Sequence, residues 1–200
     1  MRLLYGVGLC DADYKLSVVK EVDGKRKVLW RCPYYRRWHN MLRRCYYGTD
    51  SGYDGCKVCD EWLTFSNFKK WMEKQDWEGK HLDKDLIKTG NKVYSPDMCV
   101  FVSPKVNSFL VTSQKSKTSL IGCHFEQYTQ KYRAVVCNPF SDKAIGLGRF
   151  DTELEAHLAW KKRKHELACQ LADSEYVTDE RVAEALRNRY KDIDQPFKEN

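Results

Sequence analysis

Two carboxylates and an imidazole stand at alternate positions in the run His81-Leu82-Asp83-Lys84-Asp85. On an extended strand, residues two apart share a face, so the spacing predicts that His81, Asp83 and Asp85 project together. Hard oxygen donors beside an imidazole suit Mg2+, which binds through one or two carboxylates, keeps water and completes its shell with a phosphate. Asn107, one turn into the helix expected next, offers an amide oxygen. The plainer alternative is a solvated strand edge, since D-x-D is a common surface pattern. The thiols suggest a second metal chemistry. Cys56-Lys57-Val58-Cys59 is a single C-x-x-C, with Cys45 before it and Cys99 after it. A structural Zn2+ takes four ligands, and Cys45, Cys56, Cys59 and either Cys99 or His39 supply that number. The alternative is that Cys45 and Cys99 pack as small apolar residues.

The third chemistry is phosphate binding. The 200 residues carry a net charge of +7, and residues 1–48 alone hold 11 basic against 4 acidic side chains. In that segment the bases are interleaved with aromatics: Trp30-Arg31, Tyr34-Tyr35-Arg36-Arg37-Trp38, and Arg43-Arg44-Cys45-Tyr46-Tyr47. Such a surface neutralises phosphates and stacks on sugars or bases. An amphipathic helix with its aromatics inward and its arginines outward explains the same composition. Residues 49–80 and the tail from 168 onward are net acidic, at −2 and −3.

These residues need elements to hold them. The runs 2–8 and 15–30 alternate apolar with polar residues, and Asp23-Gly24 between two such stretches predicts a β-hairpin. Cys32-Pro33 opens a helix whose stripe is Tyr34, Trp38, Met41, Leu42 and Cys45, leaving Arg36, Arg37, Arg43 and Arg44 outside it. Residues 48–58 read as a loop, and 64–75 as a second helix with Trp62, Phe65, Phe68, Trp71 and Met72 on its inward side. A strand over 81–87, a turn-rich loop, a strand over 99–102 and a Ser103-Pro104 helix start complete the first half. The polar stretch 113–118 reads as a linker. Three short strands follow, around 120–125, 131–136 and 144–150. Thr152 to Glu155 is a capping box for a long helix through Leu171. On that helix Lys161-Lys162-Arg163-Lys164 reads as a solvated face able to touch phosphates. A last helix spans 179–190.

Leu82-Asp83-Lys84-Asp85, Gly90-Asn91-Lys92-Val93-Tyr94-Ser95-Pro96, Cys99 to Val102 and Asn107 follow Trp38, Met41 and Arg44-Cys45-Tyr46. Together they resemble the bacteriophage HNH endonucleases, the ββα-metal nucleases that are often free-standing homing enzymes. The later string, with Gly122, Lys131-Tyr132-Arg133-Ala134, Leu147-Gly148, Phe150 and Glu155-Ala156, is similar to the Apetala-type DNA-binding domain appended to many of them. The likeness covers roughly residues 30–172. It implies a divalent ion, Mg2+ or Mn2+, held by Asp83 and Asn107 against a scissile phosphate, with His81, Lys84, Asp85 and Asn91 around the reacting groups. The family's general base is a histidine directly after the aspartate, and here that position is Lys84. A protonated lysine accepts no proton unless burial lowers its pKa, so His81 is the other base on offer. The resemblance also implies that one sheet face enters the major groove, with His124, Glu126, Lys131, Arg133 and Arg149 reaching bases and phosphates.

The expected fold class is therefore α+β. A helical, ββα-metal-nuclease-like module precedes a three-stranded antiparallel sheet packed on one helix. The expected divisions are a hairpin to residue 30, the nuclease-like module over 31–112, a linker over 113–118, the sheet module over 119–172, and a helix and tail over 173–200. The expected partner is double-stranded DNA, with no small-molecule cofactor and no membrane. No run approaches the roughly 20 apolar residues of a membrane span, and the first residues are a poor signal peptide. The expected location is the cytoplasm of a bacterial host. Nine cysteines without a compact framework argue against a disulfide scaffold.

Overall fold

The computed structural model describes residues 3–48, 51–111 and 120–197 of this mixed α+β chain. Two compact units form, one from residues 1–78, 82–85 and 91–101, the other from 79–81, 86–90 and 102–200. No helix among the described residues is long and apolar enough to cross a membrane.

In the first unit, β1 (Ser17–Val22) and β2 (Lys25–Arg31) make the expected hairpin. Asp23 and Gly24 both adopt the left-handed conformation, φ 54° and 70°, which a two-residue hairpin turn requires. Over residues 3–8 the alternating run is not a strand. Tyr5 and Gly6 sit at φ 52° and 79°, folding the segment into a turn closed by an isolated bridge between Leu4 and Gly8.

Helix α1 (Pro33–Tyr46) starts on Pro33, whose missing N–H costs nothing in the first turn. Its stripe buries Trp38, Met41 and Leu42. Helix α2 (Phe65–Met72) is shorter than its pattern predicts, but Phe65, Phe68 and Met72 face inward as expected. Trp62 joins them, and its carbonyl accepts from Trp38 Nε1 over 2.7 Å, tying the two helical segments together.

The remaining pairings are short. β3 (Lys57–Val58), inside the expected loop, pairs in parallel with β5 (Val93–Tyr94). β4 (His81–Asp83) pairs with β6 (Val100–Val102). The strand predicted over 81–87 ends at Asp83, because its own Oδ1 accepts the Asp85 N–H over 3.0 Å and turns the chain. His81, Asp83 and Asp85 therefore do not share one strand face.

The second unit opens with α3 (Pro104–Leu110), capped by Ser103, whose Oγ accepts from the Val106 N–H. The antiparallel strands β7 (Cys123–Glu126), β8 (Lys131–Cys137) and β9 (Ala144–Phe150) lie in that order. Helix α4 (Glu153–Ala172) carries the expected capping box, and α5 (Glu180–Arg189) follows with Asp179 as its cap. Ala134 and Val136 of β8 are buried, as are Ala156, Trp160, Leu167 and Leu171 of α4. Gly122 stands at φ 80° where a Cβ would fall inside the Trp160 ring, so both backbone and packing demand glycine there.

The linker expected at 113–118 lies outside the described residues, as does the tail from 198. Helix α3 belongs to the second unit because Lys164 Nζ donates to Phe109 O over 2.6 Å and Lys105 Nζ to Pro139 O over 2.6 Å. The expectation of a solvated face at 161–164 is overturned for two residues. Lys161 and Lys164 are buried, and Lys161 Nζ donates to the carbonyls of Asp192 and Gln195. Helix α4 is covered on more than one side, so its lysine stems pass through protein to reach backbone oxygens.

Candidate nucleic-acid interface and the Lys84 segment

The residues expected to cut a phosphodiester divide between exposed and structural positions. His81 is exposed at the start of β4, and Asp83 is half-buried at its end. Lys84 is only 6% exposed. Its ammonium lies 2.9 Å from Asp85 Oδ2 and 3.2 Å from Asn91 O, with the Tyr53 and Tyr94 rings each 5.9 Å away. Burial works to lower its pKa. The Asp85 hydrogen bond and charge, with Cys56 and Asp83, outweigh that and hold it above the ordinary lysine value. Lys84 therefore stays protonated and is not a general base. Asn91 spends its side chain on backbone, donating to Lys84 O and Val93 O over 2.7 Å each and accepting from the Val93 N–H over 3.2 Å. It acts as a clasp for the loop that presents Lys84. Asn107 stands half-buried in α3, in the second unit.

All nine cysteines are free. Burial pushes Cys45 up to about 11, aided by Cys56, and Cys99 up to about 12, aided by Asp83 and Cys59. Among the described residues no three His, Cys, Asp or Glu side chains gather as a metal site would require. His39, the other zinc candidate, points Nε2 at the Tyr5 hydroxyl, 3.1 Å away.

On α1, Arg36, Arg43 and Arg44 are exposed and Arg37 is half-buried. Burial lowers the Arg37 pKa, and the charges of Arg36 and Arg44 lower it further, so three like charges crowd one stretch of helix. Arg44 is drawn over the Tyr53 ring at 5.1 Å.

The second unit brings its sheet candidates together. His124 pairs with Arg133, Arg133 with Arg149, and Glu126 with Lys131, so all five side chains lie on one face. Ala134 and Val136 are buried toward α4, leaving the candidates outward. Glu126 anchors the row, accepting from Arg149 Nε over 2.6 Å and from an Arg133 terminal nitrogen over 3.3 Å. The Arg149 hydrogen bond and then the Arg133 one hold its carboxyl below the usual glutamate range. Lys131 is paired with Asp151 at 3.1 Å. Gly146 leaves room beside the row, since a Cβ there would come 3.6 Å from the Arg133 guanidinium. Sequence reasoning missed Tyr128, fully exposed in the turn between β7 and β8, and Asp151; only the turn residues around Tyr128 hinted at it.

No family model, curated protein or solved structure matches this chain.

Proposed function

We propose that this chain is a sequence-selective DNA-binding protein of the bacteriophage HNH endonuclease type, holding duplex DNA with the outer face of β7–β9 and hydrolysing a phosphodiester near Asp83. The observation that carries the reading is the row His124, Arg133 and Arg149, with both guanidiniums steered by one glutamate. A guanidinium held in a fixed direction can bind guanine O6 and N7, or a phosphate, through two parallel hydrogen bonds. The arginine cluster on α1 supplies further positive charge suited to phosphates.

The hydrolytic half of the reading calls for Mg2+ or Mn2+, which when bound polarises the phosphate and acidifies attacking water. Asp83 is a hard oxygen donor of the type such an ion accepts. His81, exposed two residues away, is the base candidate that remains once Lys84 is held protonated. Lys84 keeps the following loop in place and takes no proton.

One observation favours a second reading, in which the chain is a catalytically silent relative that binds DNA as a repressor. It is the ion pair of Lys84 with Asp85, in the segment where the resembling enzymes carry their base. The two readings separate in one experiment: nicking of supercoiled DNA with Mg2+ or Mn2+, run beside gel-shift binding, for the wild type, Asp83→Ala and His81→Ala. Metal-dependent nicking lost in both variants supports the endonuclease. Binding without cleavage in every arm establishes the silent relative, and binding that is absent or indifferent to salt overturns both.

A further inference from the structure

Every residue of β1 and β2 is exposed, so the hairpin turns both faces to solvent. Such a ribbon has no core of its own, yet it keeps Val18, Val19, Val22, Val28, Leu29 and Trp30 largely uncovered. The two faces differ in charge. On one, Glu21 lies opposite Arg26, beside the Val19 and Val28 pair. On the other, Lys20 lies directly opposite Lys27, Lys25 follows opposite Val22, and Val18 faces Trp30. That second face holds three ammonium groups and no carboxylate. Like charges directly across a strand pair repel, so the free protein holds this face at a disadvantage that a polyanion relieves.

We propose that the β1–β2 hairpin is a second nucleic-acid-binding element that lies in the major groove of duplex DNA with its Lys20, Lys25, Lys27 and Trp30 face against the duplex. This rests on the DNA-binding reading above. The dimensions agree: a two-stranded ribbon is one of the elements that the roughly 12 Å wide major groove admits, and strands of 6 and 7 residues are about 20 Å long. The lysines neutralise phosphates along the groove walls, while Trp30 and the valines meet sugar and thymine-methyl surface. A register shift between Val18 and Val19 re-aims the base of the ribbon, as bulges do. The free strand edges also fit pairing with a second copy, and a basic apolar ribbon also fits an anionic bilayer. The lysine face decides against the first, since two such faces repel. Against the second, the turn end of the ribbon carries Lys20, Lys25 and Lys27 while Val18 and Trp30 sit at its base, so the ribbon has no apolar tip to insert into a bilayer.

The test is fluorescence anisotropy of the full-length protein on a random-sequence duplex across a salt series. It compares the wild type, the triple variant Lys20→Gln, Lys25→Gln, Lys27→Gln, and the sheet variant Arg133→Ala, Arg149→Ala. All three substituted lysines are solvent-exposed, so folding is checked by circular dichroism and is expected to be unchanged. The triple variant is expected to lower the slope of log K against log salt by about 2 to 3, with the sheet variant lowering it separately. Methyl green, which occupies the major groove, is expected to displace the sheet variant, whose remaining groove contact is the hairpin, and to leave little binding when the lysine and sheet substitutions are combined. An unchanged slope in the triple variant beside a reduced one in the sheet variant overturns the hairpin proposal and leaves the DNA-binding reading standing. No DNA binding by the wild type at low salt overturns both. A dimer in sedimentation that Trp30→Ala dissociates, or capture on phosphatidylserine vesicles lost in the triple variant while its DNA slope stays unchanged, also overturns the proposal.

Discussion

Arg149 Nε donates to Glu126 Oε2 over 2.6 Å, and Arg133, the cross-strand partner of Arg149, reaches the other oxygen of the same carboxylate. One acid thus separates two cations that would repel across the strand pair. All three side chains are on the surface, so the contact matters more for aim than for stability. Glu126→Gln removes the countercharge and leaves the arginines free to meet any phosphate. Binding to random duplex is expected to tighten several-fold at low salt, with the gain lost at high salt, while discrimination among sequences falls. Anisotropy titrations with random and selected duplexes check both outcomes.

Lys84 and Asp85 form an unequal pair. The ammonium is buried, whereas the Asp85 side chain is half-exposed. Removing the lysine leaves a carboxylate that water can solvate, but removing the aspartate leaves a charge with little water to turn to. Asp85→Ala is expected to destabilise the first unit by roughly 1–3 kcal/mol, and Lys84→Met by clearly less. Urea denaturation of both variants checks the order; equal losses would contradict the structural role given to Lys84.

Much of the fold is legible where local signals agree. Asp23-Gly24, Pro33, Ser103-Pro104 and Thr152 to Glu155 each state a turn or a helix start in their own chemistry, and each element forms there. The sheet face is legible as well, since period-two alternation places Lys131 and Arg133 on one side. The Asp83 segment is less so. The alternation of His81, Asp83 and Asp85 looks like a strand, but an aspartate two residues before a backbone N–H can cap it, and Asp83 does. Burial of Lys161 and Lys164 was hidden for a different reason. A lysine on a helix looks solvated until a distant carbonyl, such as Phe109 O or Asp192 O, is brought within reach.

Cysteine reactivity should follow burial. With pKa values near 11 and 12, Cys45 and Cys99 are thiolate in less than about a hundredth of molecules at pH 8; Cys99 is buried besides, and Cys45 half-buried. Cys137 is exposed on β8. Iodoacetamide at pH 8 is expected to modify Cys137 first and to reach Cys45 and Cys99 only with unfolding, as peptide mass spectrometry over time would resolve.

Gly122 combines left-handed backbone with a neighbour that leaves no space for a methyl group. Gly122→Ala is therefore expected to destabilise the second unit by roughly 2–4 kcal/mol. Relief of the packing alone, by adding Trp160→Leu, recovers only part of the loss because the backbone strain remains. Thermal melts of the single and double variants check this.

Lys164 should give the second unit a distinctive pH dependence. Its Nζ donates to Phe109 O, lies 3.7 Å from the Phe109 ring centre, and has the Tyr190 ring 5.8 Å away. Burial, the dominant influence, lowers its pKa to about 8, while Cys137 opposes the shift and Arg189 adds to it. Between about pH 8 and 10.5 the unfolded chain holds a proton that the folded chain has released, so stability rises with pH across that window. Below about pH 8 both states are protonated and the contribution is flat. The full rise amounts to about 3 kcal/mol. Lys164→Met removes the charge, keeps the stem's packing and abolishes this rise. Urea denaturation of wild type and variant from pH 7 to 10 isolates it, because every other titrating group is common to both. Parallel pH slopes in the two proteins would show that Lys164 is not the source.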